Sequence, residues 1–228
     1  MESPIRDESF RDLTLAAFGE RLASSDPVPG GGSASAVAAS LAASLVAMVG
    51  RLSQGRPKYA EHAALYELAI PAAHRLERAL LDVADEDAAA YAACAVALKL
   101  PREADEDRAY RDQQVKATAR VAAEVPLRCV ELCHDVLVLA DALAGRSNVN
   151  AASDLRVASL LAEAAGNGAA ENVLVNLPLI GEDDWTREAK TRVEALLTDI
   201  AELKNRVLGV VSSGDRRPPL ETLPEVRA

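Results

Sequence analysis

The sequence predicts an all-α protein, an up-and-down bundle of about six helices, and three observations carry that reading. Apolar residues recur at helical spacing through most of the chain, no stretch alternates polar and apolar residues as a half-buried strand would, and no internal repeat is present. Half of the 228 residues are hydrophobic, yet only one Trp, four Tyr and two Phe are aromatic, the rest being mostly Ala, Leu and Val. Such a composition favours close helix packing over large cavities. No linker-like interruption divides the chain, so a single domain is expected over 1–211, followed by a loose proline-rich and charged tail over 212–228.

Taken in order, Phe10, Leu13, Ala17 and Leu22 mark a first amphipathic helix from Ser9 to Ala23, stopped by Ser24, Ser25 and Asp26. The segment Asp-Pro-Val-Pro-Gly-Gly-Gly-Ser, Asp26 to Ser33, then leads into a helix from Ser33 to Leu52 that is apolar nearly all round. A helix of that kind needs a central position or a partner subunit. After Gly55 and Pro57, a long helix is expected from Lys58 to Leu100, bent at Pro71 and ended by Pro101. Three more follow, from Asp105 to Leu143 with an internal Pro126, from Asn150 to about Leu177, and from Asp183 to Val211.

A formal charge of −10 argues against a nucleic-acid surface, which needs a basic stripe to displace counterions. Cys94, Cys129 and Cys133 make an odd count without disulfide-like spacing, pointing to a reducing cytoplasm. Cys129 and Cys133 are one helical turn apart with His134 beside them, but burial statistics favour two small core residues over a metal site. His62 and His74 show no ligand spacing, and no Ser-His-Asp order stands out, so no metal is expected. The N-terminus is charged and lacks an apolar run, so no signal peptide is expected. The uncharged stretch from Pro27 to Gly50 raises the question of a membrane span; its serines and alanines favour a buried helix, and no membrane partner is expected.

Two features carry chemistry. Three glycines at the mouth of a helix remove every Cβ from the path and leave the first amides as unpaired donors, an arrangement suited to a ligand's close approach. The Gly-x-x-x-x-Gly-Lys pattern is missing and no strand precedes the turn, which excludes a phosphate loop of that type. Further on, Leu80, Val83, Ala84, Asp87, Ala90, Tyr91, Cys94 and Leu98 fall within about 60° of one line at 100° per residue, so Asp87 points with the apolar stripe. Asp82 and Asp85 point away, towards solvent. An inward carboxylate is costly unless paired, hydrogen-bonded or protonated, and the pattern admits a structural Asp87 and an acid–base Asp87 alike. Tyr91, one turn later, is placed either to donate to it or to pack. On the Asn150 helix, Asn150, Asp154, Leu161, Gly168, Asn172 and Asn176 share a face; Asp154 and Asn172 lie roughly 27 Å apart, too far to grip one small ring together.

Together these motifs resemble the cyclodeaminase part of formimidoyltransferase-cyclodeaminase and the related methenyltetrahydrofolate cyclohydrolases. The resemblance runs through Pro29 to Ser33, Gly55 to Tyr59 with Arg56 and Lys58, Asp85 to Tyr91, Leu100-Pro101, Ser147-Asn148 with Ser153-Asp154, and Asn172 to Leu177. Arg102 stands at a usual lysine and Ser147 at a usual glycine. The resemblance implies a cytoplasmic homodimer of helical bundles that binds a tetrahydrofolate derivative, with or without a polyglutamate tail. No cofactor beyond that substrate is implied. By position Asp87 is the acid–base group, with Asp85 as a second choice. Gly30, Gly31, Gly32, Ser33, Arg56, Lys58, Tyr91, Asn148 and Asp154 are the expected substrate-binding residues, the basic pair attracting the glutamate tail. Of the two activities, the cyclohydrolase is preferred because no transferase domain is attached to supply formimino-folate; the cyclodeaminase is the alternative, and a non-catalytic folate-binding dimer a further one.

Overall fold

A computed structural model describes residues 9–222 and 224–227. The expectations about the charged first eight residues lie outside the described residues. Six α-helices make the fold: α1 (Leu15–Leu22), α2 (Gly31–Ser53), α3 (Ala63–Leu98), α4 (Asp105–Leu143), α5 (Ala152–Ile180) and α6 (Asp184–Ser213). No strand occurs among the described residues.

α2 is the centre. Ala36, Ala39, Ala42, Ala43, Val46, Ala47 and Val49 are buried where it packs against α3, α4 and α5. Small side chains let those neighbours come close; a Cβ on Gly50 would stand 2.8 Å from Cγ1 of Ile70, and one on Gly168 of α5 would stand 2.5 Å from Ser35 Oγ. Serines that would otherwise be buried without partners bond back into the helix: Ser40 Oγ donates to Val37 O and Ser53 Oγ to Val49 O. The helix is long and apolar enough to cross a membrane, and just over half of its most apolar window is buried inside the bundle. It is not covered all round. Leu41 is 50 % exposed, and Val157, Leu160 and Val175 of the neighbouring α5 are exposed as well.

The structure departs from the expected boundaries at three places, each for a local reason. The first helix is two pieces, a 3-10 turn Phe10–Asp12 and α1, because Leu13 and Thr14 are extended and Thr14 Oγ1 caps α1 by accepting from Ala17 N. The long third helix is preceded by a separate 3-10 turn, Pro57–His62. α5 continues through Pro178 and stops at Gly181, whose φ of 86° is open to glycine at little cost. Pro71 and Pro126, by contrast, are accommodated within α3 and α4 as expected.

The segment after α6, expected to be a loose tail, is held along the bundle. Arg217 N donates to Gly145 O, its guanidinium to Asp141, and Arg146 Nε to Pro218 O. Further on, Arg227 donates from its backbone and from its guanidinium to the two oxygens of Asp135, both at 2.8 Å. Gly145, at φ 72°, permits this return, since a Cβ there would lie 2.7 Å from Asp215 O.

Candidate active site

The glycine segment does more than precede the helix. α2 begins inside it, with Gly30 as the N-cap and Gly31 and Gly32 as the first helical residues. Their amides, together with that of Ser33, have no partner within the helix and carry the partial positive charge of its N-terminus. Facing them is Asp87 of α3. An ideal Cβ at Gly32 would lie 2.2 Å from Asp87 Oδ1 and 2.7 Å from Oδ2, so the carboxyl occupies the volume that any other residue at position 32 would fill. The requirement for glycine is steric.

Ser33 fixes the other side of the carboxyl. Its Oγ is fully buried and lies 3.0 Å from Ala84 O and 2.9 Å from Asp87 Oδ2. One hydroxyl proton cannot satisfy both acceptors fully. With Asp87 ionised, Ser33 donates to it; with Asp87 protonated, the carboxyl can donate to Ser33, which then donates to Ala84 O. Burial pushes the Asp87 carboxyl above its ordinary 3.8, and the Ser33 hydroxyl and amide bonds pull it partly back. The contact is therefore a two-state proton site.

Asp87 opens onto a cavity of about 360 Å³ between the start of α2, the second half of α3, mid-α4 and the second half of α5. Gly30, Gly31, Gly32 and Tyr91 line it, with Cys94, Leu98, Ala122 and Leu179 supplying apolar wall. Asp87 is the one charged side chain among the described lining residues. A mostly apolar pocket with a single carboxyl suits a ligand whose positive charge is delocalised over flat apolar surface. Tyr91, 48 % exposed, stands at the mouth with its ring as wall.

Four of the expected binding residues are elsewhere. Asn148 is buried at the far end of α2, where its backbone N donates to Ser53 Oγ, its Nδ2 to Leu52 O, and its Oδ1 accepts from Asn150 N. It joins two helices, with both polar atoms of its side chain engaged in bonds to the backbone. Arg56 caps the 3-10 turn at the same end and Lys58 lies within it, 5.6 Å from the centre of the Tyr59 ring, and Asp154 is in the first turn of α5. With about 1.5 Å rise per residue, the length of α2 puts this end roughly 33 Å from Gly31. Within one chain these four do not line the Asp87 pocket.

Asp85, the second choice for the acid–base role, faces the N-terminal segment instead of either solvent or the cavity. One of its oxygens accepts from Ser9 Oγ and the other from Phe10 N, so it anchors the turn before α1. Asp82 pairs with Arg11 on the surface. Cys129 and Cys133 are buried in the core, Cys133 with its thiol pushed well up by its hydrogen bond with Cys129 and by burial.

Two lining residues with polar amide side chains were absent from the expected set. Asn172 and Asn176 of α5 face the glycine end, Asn172 Nδ2 lying 3.7 Å from where a Gly31 Cβ would be. They stand on the predicted face of α5. The sequence places Asp154 and Asn172 at opposite ends of that face without deciding which end serves the site; the signal that favours the asparagines is their shared end with Asp87, which only the packing reveals.

The chain is similar to known proteins over most of its length. A sequence model of the family described as formiminotransferase-cyclodeaminase matches residues 14–195. The chain is 35 % identical over 200 residues to a methenyltetrahydrofolate cyclohydrolase from Methylorubrum extorquens, covering 88 % of this chain and 96 % of that protein. It is 33 % identical over 203 residues to the formimidoyltransferase-cyclodeaminase of Rattus norvegicus, covering 89 % of this chain but only 38 % of that longer protein. The crystal structure of a formiminotetrahydrofolate cyclodeaminase from Thermotoga maritima shares the fold, with a TM-score of 0.82, 24 % identity, and coverage of 89 % and 98 % of the two chains.

The raised carboxyl has a signed consequence for stability. A folded state that holds the Asp87 proton more tightly than the unfolded chain loses stability as pH rises from the ordinary 3.8 through the folded value. Asparagine is neutral throughout and does not incur that loss. Asp87→Asn is expected to raise the melting temperature relative to the native protein at about pH 8 and to give no comparable gain near pH 4. Equal shifts at both pH values in a differential scanning experiment would contradict the assignment.

Proposed function

The chain belongs to the formiminotransferase-cyclodeaminase family, and from that membership we propose that it hydrolyses 5,10-methenyltetrahydrofolate to 10-formyltetrahydrofolate, with Asp87 as the acid–base group. The observation that carries the proposal is the Asp87 carboxyl, pressed between the Gly32 backbone and the Ser33 hydroxyl as the lone charge in an apolar pocket. Its substrate's reacting carbon is part of an amidinium cation between N5 and N10, already activated for attack without a metal. A carboxylate beside it stabilises the cation, and the cation in turn lowers the raised pKa of Asp87. Binding therefore favours the ionised form of Asp87, the form that acts as base.

The steps follow from that state. Ionised Asp87 takes a proton from water as the water oxygen bonds to the methenyl carbon, giving a neutral tetrahedral adduct and a protonated carboxyl. Asp87 then returns that proton to N5 as the carbon–N5 bond breaks. The hydroxyl of the adduct loses its proton to solvent, leaving the formyl group on N10 and one proton released overall. Ser33 follows the cycle, donating to Asp87 while it is ionised and to Ala84 O when it is not. The amides of Gly31 and Gly32 remain free to bind a polar edge of the ligand.

In the cyclodeaminase alternative, the same carboxyl would move protons while N10 attacks a formimino carbon and ammonia leaves. The match to a cyclohydrolase over nearly all of that protein's length favours the hydrolytic reading. We further propose a homodimer. Its support is the uncharged run of α2 from Gly31 to Gly50 with Leu41 exposed, beside exposed Val157 and Leu160 on α5. A two-fold antiparallel pairing of these faces would bring Arg56, Lys58 and Asp154 of one protomer towards the partner's pocket, where a glutamate tail would meet the basic pair.

The tests are separate. Following the loss of methenyltetrahydrofolate absorbance, Asp87→Asn is expected to lower kcat by roughly 10²- to 10⁴-fold with the fold intact. Gly32→Ala should also impair turnover, by displacing the same carboxyl. Full turnover in Asp87→Asn removes the residue from the chemistry, while ammonia release from formiminotetrahydrofolate without hydrolysis transfers the reading to the cyclodeaminase. For the dimer, Leu41→Glu should shift sedimentation to a single chain; an unchanged coefficient, or a native protein that is itself monomeric, would contradict it.

A further inference from the structure

The mechanism leaves the α5 wall of the pocket unused, and its polar groups are not randomly turned. Asn176 Nδ2 donates to Ala122 O of α4 at 2.9 Å and to Asn172 O at 2.8 Å. Both neighbours are carbonyl oxygens, so only the amide nitrogen can face them, and both of its hydrogens are used. Asn176 Oδ1 is left without a partner among the described residues, and it is not among the buried unpaired atoms. It is an acceptor presented to the cavity and held by bonds on two helices. One turn earlier, Asn172 Nδ2 donates one hydrogen to Gly168 O at 2.8 Å and keeps its second hydrogen and its oxygen open, so Asn172 can donate or accept and only Asn176 is fixed as an acceptor.

The pocket is thereby polarised. Donors, the amides of Gly31 and Gly32, stand on the α2 wall; an amide oxygen that can only accept stands on the α5 wall; Asp87 lies beside the donors. We infer that Asn176 is a specificity-determining residue that accepts a hydrogen bond from the 2-amino group on the amino-pyrimidine edge of the ligand's fused ring. This rests on the folate reading above and extends it by stating which way round the ring system lies. In tetrahydrofolate the 2-amino group and N3–H form a donor edge at one end of the fused bicycle, and the one-carbon bridge lies at the other. Asn172 adjoins Gly31, next to Asp87's contact at Gly32, and Asn176 is about 6 Å further along α5. A ring with its bridge at Asp87 therefore carries its donor edge towards Asn176. A ligand lacking the 2-amino donor would leave that oxygen desolvated and unpaired.

The experiment measures the affinity of the full-length protein, by calorimetry, for 5-formyltetrahydrofolate and for its 2-desamino analogue. The native protein is expected to bind the analogue roughly tenfold more weakly. In Asn176→Leu the ratio should fall to about one, because the group that reads the amino donor is gone. A structural role alone would weaken both ligands by the same factor and leave the ratio intact, which would overturn the inference. Equal affinities in the native protein would also overturn it, whether or not the variant folds. Binding of neither compound would remove the folate reading itself, and the inference with it.

Discussion

The contact between the Asp87 carboxyl and the bare backbone of Gly32 is the constraint from which the rest of the site follows. Because that volume holds a carboxyl, position 32 has room for no side chain, and the second residue of α2 must be glycine. Because α2 begins there, its unpaired amides sit beside the same carboxyl and share its pocket. Burial raises the cost of the carboxylate, and the Ser33 hydroxyl, with two acceptors and one proton, supplies partial compensation that depends on the charge state. Packing, helix start and titration are thus one arrangement.

The bundle exists to hold that contact between two helices that are far apart in sequence. α2 comes close to its neighbours because its buried face is made only of alanine, valine, serine and glycine. Larger side chains would move α3 away and open the gap between Ser33 and Ala84. The same small-residue packing on α5 places Gly168 against Ser35 and brings Asn172 to the glycine end. Outside the pocket, the acidic side chains have ordinary work. Asp85 holds the N-terminal turn, Asp183 caps α6 while pairing with Arg120, and Asp135 holds Arg227.

The helical architecture was legible in the sequence because periodicity and proline or glycine stops are local properties; α4 matches its expected bounds of Asp105 and Leu143. Asp87 was legible for the same reason, since a carboxylate on an apolar stripe is visible in one helix. What a single helix does not show is which end of the bundle meets which. Arg56, Lys58, Asn148 and Asp154 were placed with Asp87 by their motifs, and the length of α2 separates them within one chain. Asn172 and Asn176 belonged to the right face, but their proximity to Gly31 depends on how α5 packs on α2. The tail read as loose because arginines such as Arg217 and Arg227 look alike in sequence whether they meet solvent or a carboxylate.

A carbon-13 NMR titration of the Asp87 side-chain carboxyl, with assignment by Asp87→Asn, tests the central claim most directly. The account predicts a midpoint above the ordinary 3.8 in the free protein, moving down when a cationic methenyltetrahydrofolate analogue occupies the pocket. A midpoint at or below the ordinary value in the free protein, unmoved by that ligand, would contradict it.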